Sequence, residues 1–198
     1  TVPGAVGNYD ILGRKYPIAE IEEIIIGSNT LSEKDYLECR VMNLFVTTFY
    51  NNSLFYEIYS MLRSIGASCF DCLIYMIEHT ELYSDKVKKI LAKFITETTE
   101  DLFDSQEKAN KYVLSPEIIN KYIGGDLGNN ELYLNRARLI NEFEDICNLM
   151  FKSVEGSLKE KNLYTQEIKN YLFELKQFIL MRKKDFIINT ESIKSAMF

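Results

Sequence analysis

A succession of amphipathic segments constrains the fold of this 198-residue chain more than any other feature. From Ser32 onward, apolar residues recur at spacings of three and four, as they do on one face of an α-helix. Residues that cap helix N-termini open the segments, and glycine or asparagine closes several of them. The openings are at Ser32, Ser53, Ser68, Ser84, Ser115 and Thr165. The pattern predicts an all-α fold, an irregular helical bundle of six to eight helices.

Three of these segments carry further detail. Ser32 and Asp35 resemble a capping box, and the broad apolar surface of the helix they open predicts a central, largely buried element. A single long helix is predicted to include residues 139–154. The segment from 165 to 182 has heptad-like apolar spacing and is expected to be the antiparallel neighbour of that long helix.

The first 31 residues have a different character. Residues 1–20 contain three glycines and two prolines, which predicts turns or a short extended lead-in. Ile21 and residues 24–26 are β-branched, so this run is either a short strand or the first turn of a helix. A lone strand does not make a stable sheet, so a strand here would need a partner outside this chain.

Composition and charge narrow the function classes. The net charge of −6 and the lack of a basic stripe argue against a nucleic-acid partner. The sequence has no apolar run of about 18 residues, so no membrane span is expected. Four cysteines are too few for a disulfide scaffold at this length, which favours a reduced, cytoplasmic protein.

Residues that could carry chemistry are sparse. His79 is the only histidine, which leaves no histidine-based metal site. A nucleophile system would have to use His79, and since no neighbouring residue indicates one, a partly exposed histidine at a helix end is the favoured interpretation. Cys69 and Cys72 form one CxxC at a helix start, where a reactive thiol is conceivable. A redox motif expects a βαβ setting, so packing is the favoured interpretation of both thiols. The acidic residues near 97–101 and 142–145 are interpreted as solvated helix faces.

Two stretches near the N-terminus carry a family resemblance. They read VPGAVGNYDILGRKYP, from residue 2, and EEIIIGSNTLSEKDYLECR, from residue 22. They resemble the region just after the catalytic barrel in cobalamin-binding-domain radical SAM proteins, which are Fe–S oxidoreductase-like enzymes. The resemblance covers about residues 1–50. It implies that residues 1–31 are a linker or the tail of a preceding catalytic barrel, and that 32–198 form a helical accessory domain.

The resemblance implies a parent enzyme with a [4Fe–4S] cluster, S-adenosylmethionine and cobalamin. Such a cluster is bound through CxxxCxxC, and the four cysteines of this chain lack that spacing. We therefore expect no cofactor in this chain and no activity of its own, with the barrel of the same polypeptide as its partner. Residues expected to face the barrel or the substrate are Gly27, Ser28, Asn29, Thr30 and Arg40.

An alternative hypothesis comes from another class of protein. The chain could be a free-standing helical interaction module without enzymatic activity. It would then have an exposed apolar groove along the heptad face of 165–182, where a partner binds. A helical binder of small molecules has no motif in its favour, and self-association into a homo-oligomer is left open.

Overall fold

The computed structural model of the chain describes residues 1–51 and 53–183. These residues are mostly helical, which confirms the predicted helical class, but they begin with an antiparallel β-hairpin. Its strands are β1 (Val2–Ile11) and β2 (Arg14–Glu22). The α-helices are α1 (Glu33–Phe45), α2 (Tyr56–Ser64), α3 (Cys69–Glu78), α4 (Asp85–Glu100), α5 (Gln106–Val113), α6 (Pro116–Ile123), α7 (Glu131–Asn141), α8 (Phe143–Glu160) and α9 (Gln166–Lys183). A π-helical turn (Val46–Tyr50) and a 3₁₀ turn (Thr80–Leu82) complete the elements.

The nine α-helices in the described residues exceed the predicted six to eight. No helix was predicted for residues 106–113, although the Ser105 hydroxyl caps α5 by accepting the Lys108 N–H at 3.3 Å. The prediction of a single long helix through residues 139–154 is wrong. The chain leaves helical geometry at Glu142, where φ is −95° and ψ is 48°, so that α7 and α8 are separate helices.

The described residues form two compact units. Unit 1 contains Thr1–Leu37 and Lys93–Leu134, and unit 2 contains Glu38–Ala92 together with residues 135–183. The unit boundaries fall within α1, α4 and α7. The predicted division at residue 31 concerns a preceding barrel and stays a prediction.

In unit 1 the N-terminal residues pair with each other, and this corrects the expectation for the lead-in. β1 and β2 are antiparallel, with Tyr9 opposite Tyr16 and Ile11 opposite Arg14. The strand partner therefore lies within the chain, whereas residues 24–26 belong to neither strand. Prolines and glycines are tolerated here because each strand of a two-stranded sheet has a free edge. The base of the hairpin packs against α5 and α6.

Unit 2 is organised around α8. Helix α3 packs on it, and α9 packs on it after a short connection, as predicted for the two C-terminal segments. Four aromatic rings form a continuous stack in its core, with successive centroid distances of 5.5, 5.7 and 6.1 Å. They are Phe45, Phe49, Phe55 and Phe143. The expected burial of α1 is found only at its C-terminal end, where Leu44 and Phe45 are fully buried.

A close approach fixes how α3 lies on α8. The ring of Tyr75 in α3 crosses α8 at Gly156, and a Cβ at Gly156 would fall 2.1 Å from Tyr75 Cζ. The same ring stacks on His79 with 3.8 Å between centroids. Only glycine leaves room for this crossing, because packed interiors have little free volume.

Hydropathy along the helices bears on membrane crossing. Among the described residues no single helix combines the length and the apolar content of a membrane span. Helices α2 and α3 meet both criteria only when they are taken together, and they are bent by 118° at the break between them.

Candidate functional site

The residues predicted to face a barrel or a substrate form a turn. Gly27, Ser28, Asn29 and Thr30 are exposed in unit 1, where the Ser28 hydroxyl accepts the N–H groups of Thr30 at 3.2 Å and Leu31 at 3.1 Å. These bonds shape the turn that precedes the N-terminal cap of α1. In that cap the Ser32 N–H donates to the Asp35 carboxylate, and the Asp35 N–H donates to the Ser32 hydroxyl. Arg40 is a partly buried residue of unit 2. The substrate-side role of all five stays a prediction.

Two of the four cysteines have the environment of packed side chains. Cys72 and Cys147 are buried, and burial raises the pKa of each thiol to about 11. Burial also raises the pKa of the partly exposed Cys69, with Arg63 opposing it. A thiol whose pKa lies above its ordinary value is a poor nucleophile at neutral pH because the thiolate is rare. The packing interpretation of Cys72 is thereby confirmed.

The residues present do not fit the iron–sulfur cluster that the resemblance implies for a parent enzyme. Such a cluster is held by three or four cysteine thiolates that lie together. In the part of the chain that the structure describes, no group of three or more His, Cys, Asp or Glu side chains could hold a metal ion. No step of radical chemistry is therefore assigned to these residues.

A carboxyl cluster in unit 1 differs from the predicted solvated face. Asp101, just beyond the end of α4, is only partly exposed. Burial and the carboxylates of Glu131, Glu100 and Glu97 raise its pKa to about 6. Sequence reasoning missed this environment, because helical spacing does not reveal that the side chain of Glu131 lies nearby.

The tip of the hairpin protrudes from unit 1. Residues 8–17, here called the arm, are all exposed. The two strands of the arm are joined by Leu12 and Gly13, with φ angles of +52° and +76°. The Gly13 N–H donates to Asp10 Oδ1 at 3.0 Å and closes the turn. Leu12 is 99% exposed, so its side chain contributes nothing to the packing of this unit.

The two faces of the arm differ in polarity. Directly opposed residues share a face, so Tyr9, Tyr16, Ile11 and Arg14 lie on one side. The opposite side carries Asn8 with Pro17 and Asp10 with Lys15. Tyr9, Tyr16 and Ile11 are between 43% and 50% exposed. The arm therefore presents a small apolar face to solvent, ending at Leu12.

A groove lies between α2 and α9 in unit 2. Its volume is about 930 Å³, and both helices contribute a mixture of apolar, aromatic and hydroxyl side chains to it. The lining residues are Tyr56, Glu57, Ser60, Met61, Ser64, Ile65, Thr165, Glu167, Ile168, Tyr171, Leu175 and Phe178. The groove lies along the face of 165–182 on which the sequence predicted one. It is called the α2–α9 groove.

Ion pairs join the C-terminal end of α9 to α2. Lys183 Nζ donates to Glu57 Oε2 at 2.9 Å and to the Leu54 carbonyl oxygen at 2.5 Å, and Arg182 lies 3.5 Å from Glu57 Oε1. Burial opposes ionisation of Glu57. The hydrogen bond from Lys183 and the charges of Lys183 and Arg182 outweigh it and hold the pKa of Glu57 below its ordinary value. This cluster is called the Glu57–Lys183 tie.

Comparisons with known proteins identify no relative of this chain. A scan of protein-family models finds no match, and searches of the curated proteins and of the solved structures find none either.

Proposed function

We propose that this chain is a non-catalytic helical domain that docks onto a larger catalytic protein through its arm. The conformation of Leu12 carries the proposal. A leucine with φ of +52° strains the backbone by about 1 kcal/mol, and this one is exposed in full. Asparagine or aspartate followed by glycine is the favoured sequence for such a turn. A leucine there gains no packing from the described residues of the chain, so we assign its side chain to a contact with a partner.

The arm next to Leu12 supports the same assignment. Tyrosine provides a large contact area at a small loss of conformational entropy, and Tyr9 and Tyr16 stand side by side on the apolar face. Arg14 at the end of this face adds donors that recognise carboxylates or carbonyls. Two-stranded hairpins are marginally stable alone, so a partner surface would also stabilise the arm.

We propose the barrel of a cobalamin-binding radical SAM enzyme as the catalytic protein, because the resemblance of residues 1–50 lies in the same segment as the arm. The domain would cap or dock onto the barrel of the same polypeptide. The cluster, the S-adenosylmethionine and the cobalamin would belong to that barrel. Reading the coding sequence upstream of Thr1 in the native transcript tests this part. An in-frame CxxxCxxC supports it, and a natural start at or just before Thr1 contradicts it.

Proteolysis of the arm tests the docking itself. Trypsin should cut the isolated chain rapidly after Arg14 or Lys15, because both are exposed on the arm. In the full native polypeptide we expect cleavage at these bonds at least about tenfold slower, since binding that favours the covered state lowers the fraction open to protease. The double variant Tyr9→Ser/Tyr16→Ser should restore rapid cleavage.

Asn8→Ser on the opposite face is the matched control and should leave the protection unchanged. Equal cleavage rates in the isolated chain and the full polypeptide would mean that the arm is not a docking element.

A second candidate function is a free-standing helical interaction module. The observation in its favour is the α2–α9 groove, whose apolar lining is left open although α9 already packs on α8. A cleft lined by apolar and aromatic side chains with a few polar groups is typical of a binding site. The two candidates use different units of the chain, so variants in one surface do not alter the other.

A further inference from the structure

We infer that the α2–α9 groove binds an amphipathic helix of a partner protein, with a basic flank of that helix against α9. The inference rests on the second candidate function and names the class of its partner. It concerns unit 2 alone and is independent of the arm.

The dimensions of the groove favour a helix. On α9 the lining extends from Thr165 to Phe178, which corresponds to about 20 Å at 1.5 Å per residue. A helix of roughly three to four turns has this length. Met61 of α2 and Ile65, which directly follows α2, line the groove together with Ile168 and Leu175 of α9. Two helices with an apolar cleft between them offer the ridges and holes into which a third helix packs.

Aromatic rings line the groove on both of its helices. Tyr56 on α2 and Tyr171 and Phe178 on α9 are between 48% and 57% exposed. Aromatic residues at the edge of a cleft are typical of binding hot spots, since they bury a large area when a partner excludes water. These three rings would contact the sides of the bound helix.

Charge decides which flank faces α9. Glu167 lines the groove, and Glu174 lies seven residues later on the same stripe of α9. Within residues 1–51 and 53–183 neither carboxylate has an ion-pair partner, whereas Glu57 is neutralised by the Glu57–Lys183 tie. On the α2 side, the Arg63 guanidinium lies 5.9 Å from the centre of the Tyr56 ring. The acidic side of the groove is therefore the edge of α9 that carries Glu167 and Glu174, and lysine or arginine on the partner complements it.

The same charges argue against two other occupants. A second copy of α9 packed here about a twofold axis would bring the Glu167 and Glu174 stripes of two acidic chains together. An anionic membrane surface would also be repelled by these carboxylates. A basic helix satisfies both the apolar lining and the acidic side.

Three labelled peptides of about 16 residues test the inference by fluorescence anisotropy on the whole chain. The first has leucines at i, i+4, i+7 and i+11 with lysines on one flank. The second has glutamates in place of the lysines, and the third is a scramble of the first. We expect the first to bind, the glutamate peptide to bind at least about tenfold more weakly, and the scramble to show no saturable binding.

Variants locate the binding. Tyr171→Ser should weaken binding of the lysine peptide at least about tenfold, as expected for a ring at a hot spot. Phe173→Ser is the matched control, because Phe173 lies on the same helix, is 67% exposed and does not line the groove. Glu167→Lys should reduce the preference for the lysine peptide over the glutamate peptide. Thermal unfolding of each variant verifies that the fold is kept.

The outcomes separate the inference from the function on which it rests. Equal binding of the lysine and glutamate peptides would leave a helix-binding groove but overturn the basic flank. Absence of binding by every helical peptide would overturn the interaction module itself. If sedimentation reveals a dimer that Tyr171→Ser dissociates, a second copy occupies the groove and the inference is wrong. Binding to vesicles of anionic phospholipid that Tyr171→Ser abolishes would also overturn it.

Discussion

Helices α8 and α9 are both 18 residues long and adjacent in sequence, yet they are buried to very different extents. Ten residues of α8 are buried, whereas only Leu172 and Ile179 are buried in α9. The two helices carry similar numbers of apolar side chains, eight in α8 and nine in α9. Apolar content alone therefore does not decide whether a helix belongs to the core.

Neighbours explain the difference. Helix α8 has α3 on one side and α9 on another, so most of its circumference is covered. Helix α9 has α8 on one side and the α2–α9 groove on another. Four of its other apolar side chains are between 48% and 74% exposed, namely Tyr171, Phe173, Phe178 and Met181. Burial in α8 supplies stability, whereas much of the apolar surface of α9 is open to solvent.

The largest effect should come from truncating one phenylalanine in each helix. Phe151 of α8 is 7% exposed, so Phe151→Ala should lower the free energy of unfolding by about 3–5 kcal/mol. Phe173 of α9 is 67% exposed, and Phe173→Ala should change it by less than about 0.5 kcal/mol. Urea unfolding monitored by circular dichroism measures both. Similar losses in the two variants would mean that α9 is as much a core helix as α8.

A smaller effect is expected where α3 crosses α8. Gly156→Ala places a methyl group against the Tyr75 ring and should destabilise the protein by about 1–3 kcal/mol through overpacking. The double variant Gly156→Ala/Tyr75→Ala should recover part of this loss, because the clashing ring is removed. A double-mutant cycle in thermal unfolding measures the coupling. Purely additive effects would show that the crossing is not what requires glycine.

The smallest effect concerns the polar attachment of α9. Lys183→Met removes the Glu57–Lys183 tie and should cost about 1 kcal/mol at pH 7, since the pair is partly screened by solvent. The pKa of Glu57 is lowered in the folded state, so its contribution is present above the ordinary value of 4.5 and is lost as pH falls through the folded value.

The difference between the native chain and Lys183→Met should accordingly shrink as the pH is lowered below about 4. Thermal unfolding at a series of pH values measures it, and hydrogen exchange in the last turn of α9 should increase in the variant. A difference that is independent of pH would assign the loss to packing of the lysine stem.

Capping residues made several helix starts predictable from sequence. Ser68 and Ser115 accept the N–H groups of Asp71 and Ile118, as their positions before apolar periodic segments suggest. Heptad spacing also indicated an apolar stripe on α9, part of which (Ile168, Tyr171, Leu175 and Phe178) lines the groove, whereas Leu172 and Ile179 are buried. It could not reveal that α2 forms the other side of the groove, since that pairing is not local.

Other features depended on signals that were weak in the sequence. The glycines and prolines of residues 1–20 suggested turns, but these residues form two strands. The hairpin tolerates them because each of its strands has a free edge. Leu12–Gly13 is not among the favoured turn sequences, so the hairpin gave little local indication of itself. The end of α7 at Glu142 has no proline or glycine to mark it. Asp101 gained its raised pKa from burial and from Glu131, a residue distant in sequence.

The π-helical turn after α1 has a consequence for how this protein tolerates changes in length. At Val46–Tyr50 the backbone bonds to the fifth residue back, as in the 3.0 Å bond from the Asn51 N–H to the Val46 carbonyl oxygen. Such a turn holds one residue more than an α-helical turn. Deleting one residue elsewhere in α1 would rotate the rest of the helix by about 100° and turn Phe49 away from its aromatic neighbours. A deletion within the π turn can be absorbed as ordinary α-helix, which makes residues 46–50 the place where helix length can vary by one residue.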